Sequence, residues 1–226
     1  MKGILSLSGG LDSSTILSCY EDEIHLCVFA NYGSKQNDRE RIAARAIADH
    51  YGKDLIELDL AASFANFKSA LLAHSKEEIE DGAYADKEVS NAFVPFRNGI
   101  FASYMVGLAE SFGLDTIFMG MHGGDHRLYP DCRPGFVDKF NALVKEYSEG
   151  KMQVFAPFLH YTKRQIADIA AVKRLPMHLT YSCYKGNVAH CGTCPTCIER
   201  RDALGLFAFA HEEVQDERGK HEISHP

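Results

Sequence analysis

An apolar run at residues 2–7, KGILSL, breaks into Ser8-Gly9-Gly10-Leu11-Asp12-Ser13 and resumes as a helix-like stretch ending near Tyr20. Strand, glycine-rich turn and helix in that order form one half of a parallel crossover unit, which commits the rest of the chain to supplying neighbouring strands. Further units follow. A strand at 24–30 leads into a helix at 39–52 closed by Gly52, and a third strand is expected at 53–60. A buried helix at 97–113, a strand at 115–121, a helix at 133–150, a strand at 153–159 and a helix at 162–174 continue the alternation. The mixed segment 62–90 predicts one helix, around residues 64–74. This spacing predicts an α/β fold with a doubly wound parallel sheet, whose ligands bind beyond the carboxyl ends of the strands.

The first turn lies on that edge. It brings backbone N–H groups and a helix N-terminus around one point, a cradle for a polyphosphate. Gly9 and Gly10 allow close backbone approach, Ser8 and Ser13 add hydroxyl donors, and Asp12 is placed to hold Mg²⁺ or to cap the helix. Neither a G-x-x-x-x-G-K-[ST] loop nor a G-x-G-x-x-G fingerprint occurs in the chain, which argues against lysine-assisted γ-phosphate chemistry and hydride transfer. SGGLDSS after an N-terminal strand resembles the loop of the ATP pyrophosphatase (PP-loop) superfamily. That resemblance implies cleavage of ATP between the α and β phosphates with adenylation of a substrate oxygen.

Four of the seven cysteines fall in one stretch, Cys183-x7-Cys191-x2-Cys194-x2-Cys197. Four thiolates can close a tetrahedral Zn²⁺ site, with Gly192 permitting the tight turn between ligands. The same spacing also suits iron–sulfur ligation, so spacing alone leaves the metal open. Of the others, Cys19 falls on the first helix and Cys27 in the second strand, both ordinary positions for small buried thiols.

Three more stretches narrow the reading: VPFRN (94–98), GMHGGDHRLYPDCRPGF (120–136) and SCYKGNVAHCGTCPTCIERRDA (182–203). Together with the loop they closely resemble the 7-cyano-7-deazaguanine synthase (QueC) family, over nearly the whole chain. The resemblance implies a Rossmann-like fold of the adenine nucleotide alpha hydrolase-like type, with residues 1–175 binding nucleotide. A zinc-binding helical segment at 176–215 and a flexible tail at 216–226 would complete the chain. It implies structural Zn²⁺ on the four cysteines and Mg²⁺ with ATP. Leu7, Ser8, Gly9, Gly10, Leu11, Asp12, Ser13, Ser14 and Thr15 would hold ATP, together with Tyr32, Gly33, Arg97 and Lys163. By the same resemblance Asp12, Arg97 and Lys163 would carry the catalytic charge, while Asn98, Asp125, Tyr129, Asp131 and Arg133 would read the deazapurine. The partners implied are ATP, 7-carboxy-7-deazaguanine and ammonia, in a homodimer. The chain departs from one common family pattern at Asn31-Tyr32-Gly33-Ser34 and at His122-Gly123-Gly124-Asp125-His126, both in expected ligand loops.

Residue by residue, the middle motifs have plainer readings too. Arg97 and Asn98 also suit a surface helix cap, and Lys163 an exposed helix position. His122-x3-His126 has metal spacing only on a helix, which Gly123-Gly124 disfavours, and the activation chemistry needs no thioester from Cys132. A net charge of −7 argues against a broad nucleic-acid surface. No apolar run approaches the roughly 18 residues of a membrane span, and the thiol usage suits a cytoplasmic protein. Three other functions suit parts of the same sequence: a relative stopping at the amide or transferring to a protein amine, a tRNA thiolase with an iron–sulfur cluster, and a non-catalytic ATP-binding adaptor.

Overall fold

The computed structural model describes residues 1–205 apart from Lys87 and Val89, and the side chain of Asp125 also lies outside the description. Five strands form one sheet: β1 (Gly3–Ser6), β2 (Ile24–Asn31), β3 (Leu55–Asp59), β4 (Thr116–Phe118) and β5 (Gln153–Phe155), in the order β3-β2-β1-β4-β5. Every pairing is parallel. The expected α/β class and doubly wound topology are both present.

A parallel sheet must be covered on both faces, so its inner strands bury side chains in both directions. Leu5, Cys27, Phe29 and Phe118 face one layer, built by α1 (Leu11–Cys19), α2 (Asn37–His50) and α6 (Lys163–Val172). Ile4, Val28, Ile117 and Val154 face the other, built by α4 (Arg97–Ser111) and α5 (Pro134–Tyr147). A short α3 (Ala61–Phe64) follows β3, and α7 (Pro195–Leu204) closes the described chain. From β1 the chain steps outward to β2 and β3, then crosses back to β4 on the other side of β1 and on to β5. The loops after β1 and β4 therefore part at the carboxyl edge and open a crevice between them.

Two expectations need correction. The helix around residues 64–74 is absent: α3 ends at Phe64, and Ala70, Leu71 and Leu72 are all fully buried. Here the chain instead bridges to the loop after β2, Lys35 N–H donating to the Leu71 carbonyl at 2.8 Å and Ala73 N–H to Gly33 at 2.8 Å. The helix at 97–113 is present as α4, but it is buried on one side only, with Tyr104 and Phe112 exposed. The expected tail at 216–226, and the end of the segment 176–215 beyond residue 205, lie outside the described residues.

Candidate active site

The loop after β1 closes on itself through its hydroxyls. Ser13 Oγ accepts from Ser8 N–H at 3.2 Å and lies 3.1 Å from Ser8 Oγ, which accepts from Gly10 N–H at 3.3 Å. Gly9 has φ +75°, and a Cβ there would stand 2.4 Å from the Ala44 amide of α2, so the loop is pressed onto that helix at a position only glycine fills. Gly10 precedes α1 with φ −76° and supplies no side-chain cap. The first N–H groups of α1 are left for a ligand.

Asp12, in the first turn of α1, meets a cation from the far end of the chain. Lys163, the first residue of α6, places Nζ 2.6 Å from Asp12 Oδ2 and 3.5 Å from Glu199 Oε2 of α7. His122 Nε2 stands 3.7 Å from the same Asp12 oxygen. Burial pushes the Asp12 carboxyl up, yet Lys163 and His122 outweigh it and hold it below the ordinary carboxylate value. Its second oxygen, Oδ1, is buried without a hydrogen-bond partner. A charged oxygen in that condition beside a phosphate cradle fits a Mg²⁺ ligand. Glu199 and His122 were not among the residues singled out for the site. Glu199 carries no motif of its own, since it follows the last cysteine on what reads as ordinary surface helix.

The cleft runs from this cluster toward α4 and holds a cavity of about 190 Å³. Tyr32, Glu40, Arg97, Asn98, Phe101 and Cys132 line its far end. Burial works against the Arg97 charge, but Tyr32, Tyr184, Tyr129 and Asp131 raise its pKa. It donates to the Tyr32 hydroxyl at 3.2 Å and lies over that ring, 5.5 Å from its centre. Asn98 Nδ2 donates to Cys132 Sγ at 3.1 Å.

Of the other residues expected at the deazapurine, Tyr129, Asp131 and Arg133 are not among those lining this cleft. Asp131 is buried and accepts from the Asn98 N–H at 2.9 Å, serving the N-terminus of α4. Arg133 Nε donates to the His126 carbonyl at 2.8 Å, tying the 122–133 loop together. Tyr129 is buried against Tyr84, their hydroxyls 3.4 Å apart. The expectation for Asp125 rests on a side chain outside the description.

Beside the cleft, the sulfur atoms of Cys183, Cys191, Cys194 and Cys197 all lie within 4.8 Å of one another. Cys191 Sγ and Cys197 Sγ are 3.9 Å apart, close to the roughly 3.8 Å edge of a tetrahedron with Zn–S bonds of about 2.3 Å. Cys194 N–H points at Cys191 Sγ at 3.2 Å, and Gly192 takes φ +73° to allow it. The donor set and its shape fit Zn²⁺. Among the described residues no other group of three or more His, Cys, Asp or Glu converges in this way. Residues next to the cluster reach the cleft: Tyr181, Ser182, Tyr184 and Thr196 line it, and Tyr181 N–H donates to the Gly9 carbonyl at 2.9 Å. The buried Arg200 secures this segment through Ser182 Oγ at 3.2 Å and the Met177 carbonyl at 3.1 Å.

Residues 2–208 match the family described as queuosine biosynthesis protein QueC. The 7-cyano-7-deazaguanine synthase of Desulfotalea psychrophila is 38% identical over 208 residues, covering 90% of this chain and 94% of the relative. The enzyme of the same name from Porphyromonas gingivalis is 40% identical over 203 residues, covering 89% and 91%. That from Brucella ovis is 35% identical over 210 residues, covering 91% and 90%. Among solved structures, the NMN synthetase of Francisella tularensis aligns with a TM-score of 0.48 at 11% identity, covering 80% of this chain and 65% of that one.

Proposed function

The chain belongs to the QueC family of queuosine biosynthesis proteins, and we propose that it converts 7-carboxy-7-deazaguanine and ammonia to 7-cyano-7-deazaguanine at the expense of ATP. It is a ligase-type enzyme that forms carbon–nitrogen bonds. A carboxylate is a poor electrophile because its oxygen is a poor leaving group, and adenylation cures that. The substrate carboxylate oxygen attacks the α-phosphorus and pyrophosphate departs. Ammonia then displaces AMP to give the amide. A second adenylation, on the amide oxygen, lets that oxygen leave as AMP and yields the nitrile.

What carries the reading is one cleft holding both a phosphate cradle and the charges a departing pyrophosphate needs. The N–H groups from Leu11 onward, with the Ser8 and Ser13 hydroxyls, would surround the β,γ-phosphates, and Lys163 and Arg97 would neutralise negative charge as it shifts to the leaving group. When bound, Mg²⁺ supplies further neutralisation, with Asp12 Oδ1 as its protein ligand. His122 and Glu199 would keep Asp12 and Lys163 in place. Tyr32 and Gly33 would border the nucleotide, and Asn98 would present its amide to the second substrate. The zinc site would hold residues 181–196 as a wall of the cleft. Ammonia as nitrogen donor, a cytoplasmic setting that keeps the thiols reduced, and assembly as a homodimer complete the reading.

The test is direct. Zinc-loaded protein is incubated with ATP, Mg²⁺, ammonium and 7-carboxy-7-deazaguanine, and products are read by mass. The nitrile is expected. Absence of both amide and nitrile from folded, metal-replete protein overturns the assignment, and accumulation of the amide alone identifies an enzyme that stops one step earlier.

A further inference from the structure

Among the described residues three carboxylates line the cleft: Asp12, Glu199 and Glu40. Asp12 and Glu199 are both engaged by Lys163 at the phosphate end. Glu40 stands apart from them in the first turn of α2, within the electrostatic reach of Arg97 and beside Tyr32. No recognisable motif marks it. Gln36, one turn earlier and 1% exposed, donates to the Tyr32 hydroxyl at 3.3 Å and favours the charged form of the Glu40 carboxyl. Arg97 holds that hydroxyl from the other side. The carboxylate shares the cleft lining with Tyr32, Tyr84, Phe101 and Tyr184, flat surfaces suited to a heterocycle.

We propose that Glu40 is the specificity-determining residue for the second substrate, its carboxylate oxygens accepting from the ring N1–H and the 2-amino group of the deazaguanine. This rests on the function proposed above and deepens it. A carboxylate accepts and cannot donate. The pyrimidine edge of a guanine-type ring presents two adjacent donors, which a carboxylate meets with both oxygens. The corresponding edge of adenine presents a donor beside an acceptor, so one oxygen would face a lone pair. One residue therefore separates the two flat rings that must share this cleft and sends the adenine of ATP elsewhere. Asp131, one of two carboxylates the sequence suggested for this role, accepts from the N-terminus of α4. Its half-buried position strengthens the discrimination, because an acceptor desolvated by ligand and left unpaired is costly.

The experiment is calorimetric titration of the full-length, zinc-loaded protein with 7-carboxy-7-deazaguanine and with its analogue lacking the 2-amino group. ATP affinity is measured alongside, for wild type and Glu40→Gln. Wild type should prefer the 2-amino compound by about tenfold or more, and Glu40→Gln should lose most of that preference while its ATP affinity stays within about twofold. A variant that keeps the preference, or loses ATP affinity instead, overturns the assignment. If Glu40→Gln does not fold, wild type still decides, since equal affinity for the two compounds also overturns it. Pyrophosphate release by wild type reports separately on the reaction. Turnover without 2-amino preference removes the role of Glu40 alone, and preference without turnover removes the reaction alone.

Discussion

Lys163 Nζ and Asp12 Oδ2 lie 2.6 Å apart although 151 positions of sequence separate them. The contact joins the N-terminus of α6 to that of α1 across the crevice, so the fold must close before either charge has its partner. Both side chains are about four-fifths removed from water. Their partnership is therefore part of the fold as well as of the proposed chemistry.

Replacing Lys163 with Met should cost about 3 kcal/mol, because it strands the buried Asp12 charge. The Asp12 carboxyl lies below its ordinary value in the fold, so the stability it contributes is present above the unfolded value of 3.8 and lost as pH falls through the lower folded value. Without Lys163, burial has less opposing it and the folded value rises. Urea melts across pH 3–7 should show wild type losing stability below about pH 4 through Asp12, with that acid loss reduced or reversed in Lys163→Met. ATP-dependent pyrophosphate release should fall by about 100-fold or more.

Gly9 and Gly10 should behave differently despite their adjacency. A Cβ at Gly9 needs positive φ and runs into the Ala44 backbone at 2.4 Å, whereas one at Gly10 meets the Ser8 hydroxyl at 3.3 Å with φ already ordinary. Gly9→Ala should lose about 1–3 kcal/mol of stability. Gly10→Ala should melt close to wild type while weakening ATP, since the new methyl group occupies the phosphate approach. Thermal melts paired with ATP titrations distinguish the two.

The strand–loop–helix at residues 3–19 was legible because its signals are local: an apolar run, a glycine turn, a helical stretch. The cysteine cluster was legible for the same reason. Lys163 was found through family resemblance, while its partner Glu199 was not found at all, because nothing local distinguishes a catalytic-cleft glutamate from a solvated one. Asp131 and Arg133 show the converse. Their loop reads as ligand-binding from its composition, yet capping α4 and binding loop carbonyls use the same polar groups that a ligand would. The helix expected around residues 64–74 failed on tertiary grounds, since Leu71 and Leu72 are buried by a bridge to residues 33–35 that only the folded chain supplies.

Removing the metal should loosen one wall of the cleft without unfolding the sheet. The four sulfurs hold residues 183–197 in a segment whose other ties to the sheet domain include the Tyr181–Gly9 hydrogen bond and the Arg200 contacts. Strong chelation, or Cys194→Ser, should release about one zinc per chain. It should lower the melting temperature by several degrees, each kcal/mol lost corresponding to about 2–4 °C in a chain of this size. Hydrogen exchange should rise first in residues 181–199 and leave β1 and β4 protected.

Substrate affinity should depend on pH through Glu40. Burial pushes its carboxyl up to about 7, against the opposing influence of Arg97 and Gln36. The charged and titratable groups bearing on it are Arg97, which stays protonated, and Tyr32, whose own value is pushed up by burial. Neither changes state near neutrality. Because the folded value lies above the unfolded one, this carboxyl favours folding most at acidic pH, and that contribution is lost as pH rises through about 7. The ionised form is the one that can accept from two N–H groups, so binding of 7-carboxy-7-deazaguanine should tighten over the same interval. Glu40→Gln should flatten both trends, holding thermal stability and substrate affinity nearly constant between pH 6 and 8 apart from what other groups contribute. Calorimetric titrations of the two proteins at half-unit pH steps measure this, and an unchanged slope in the variant would assign the titration to another group.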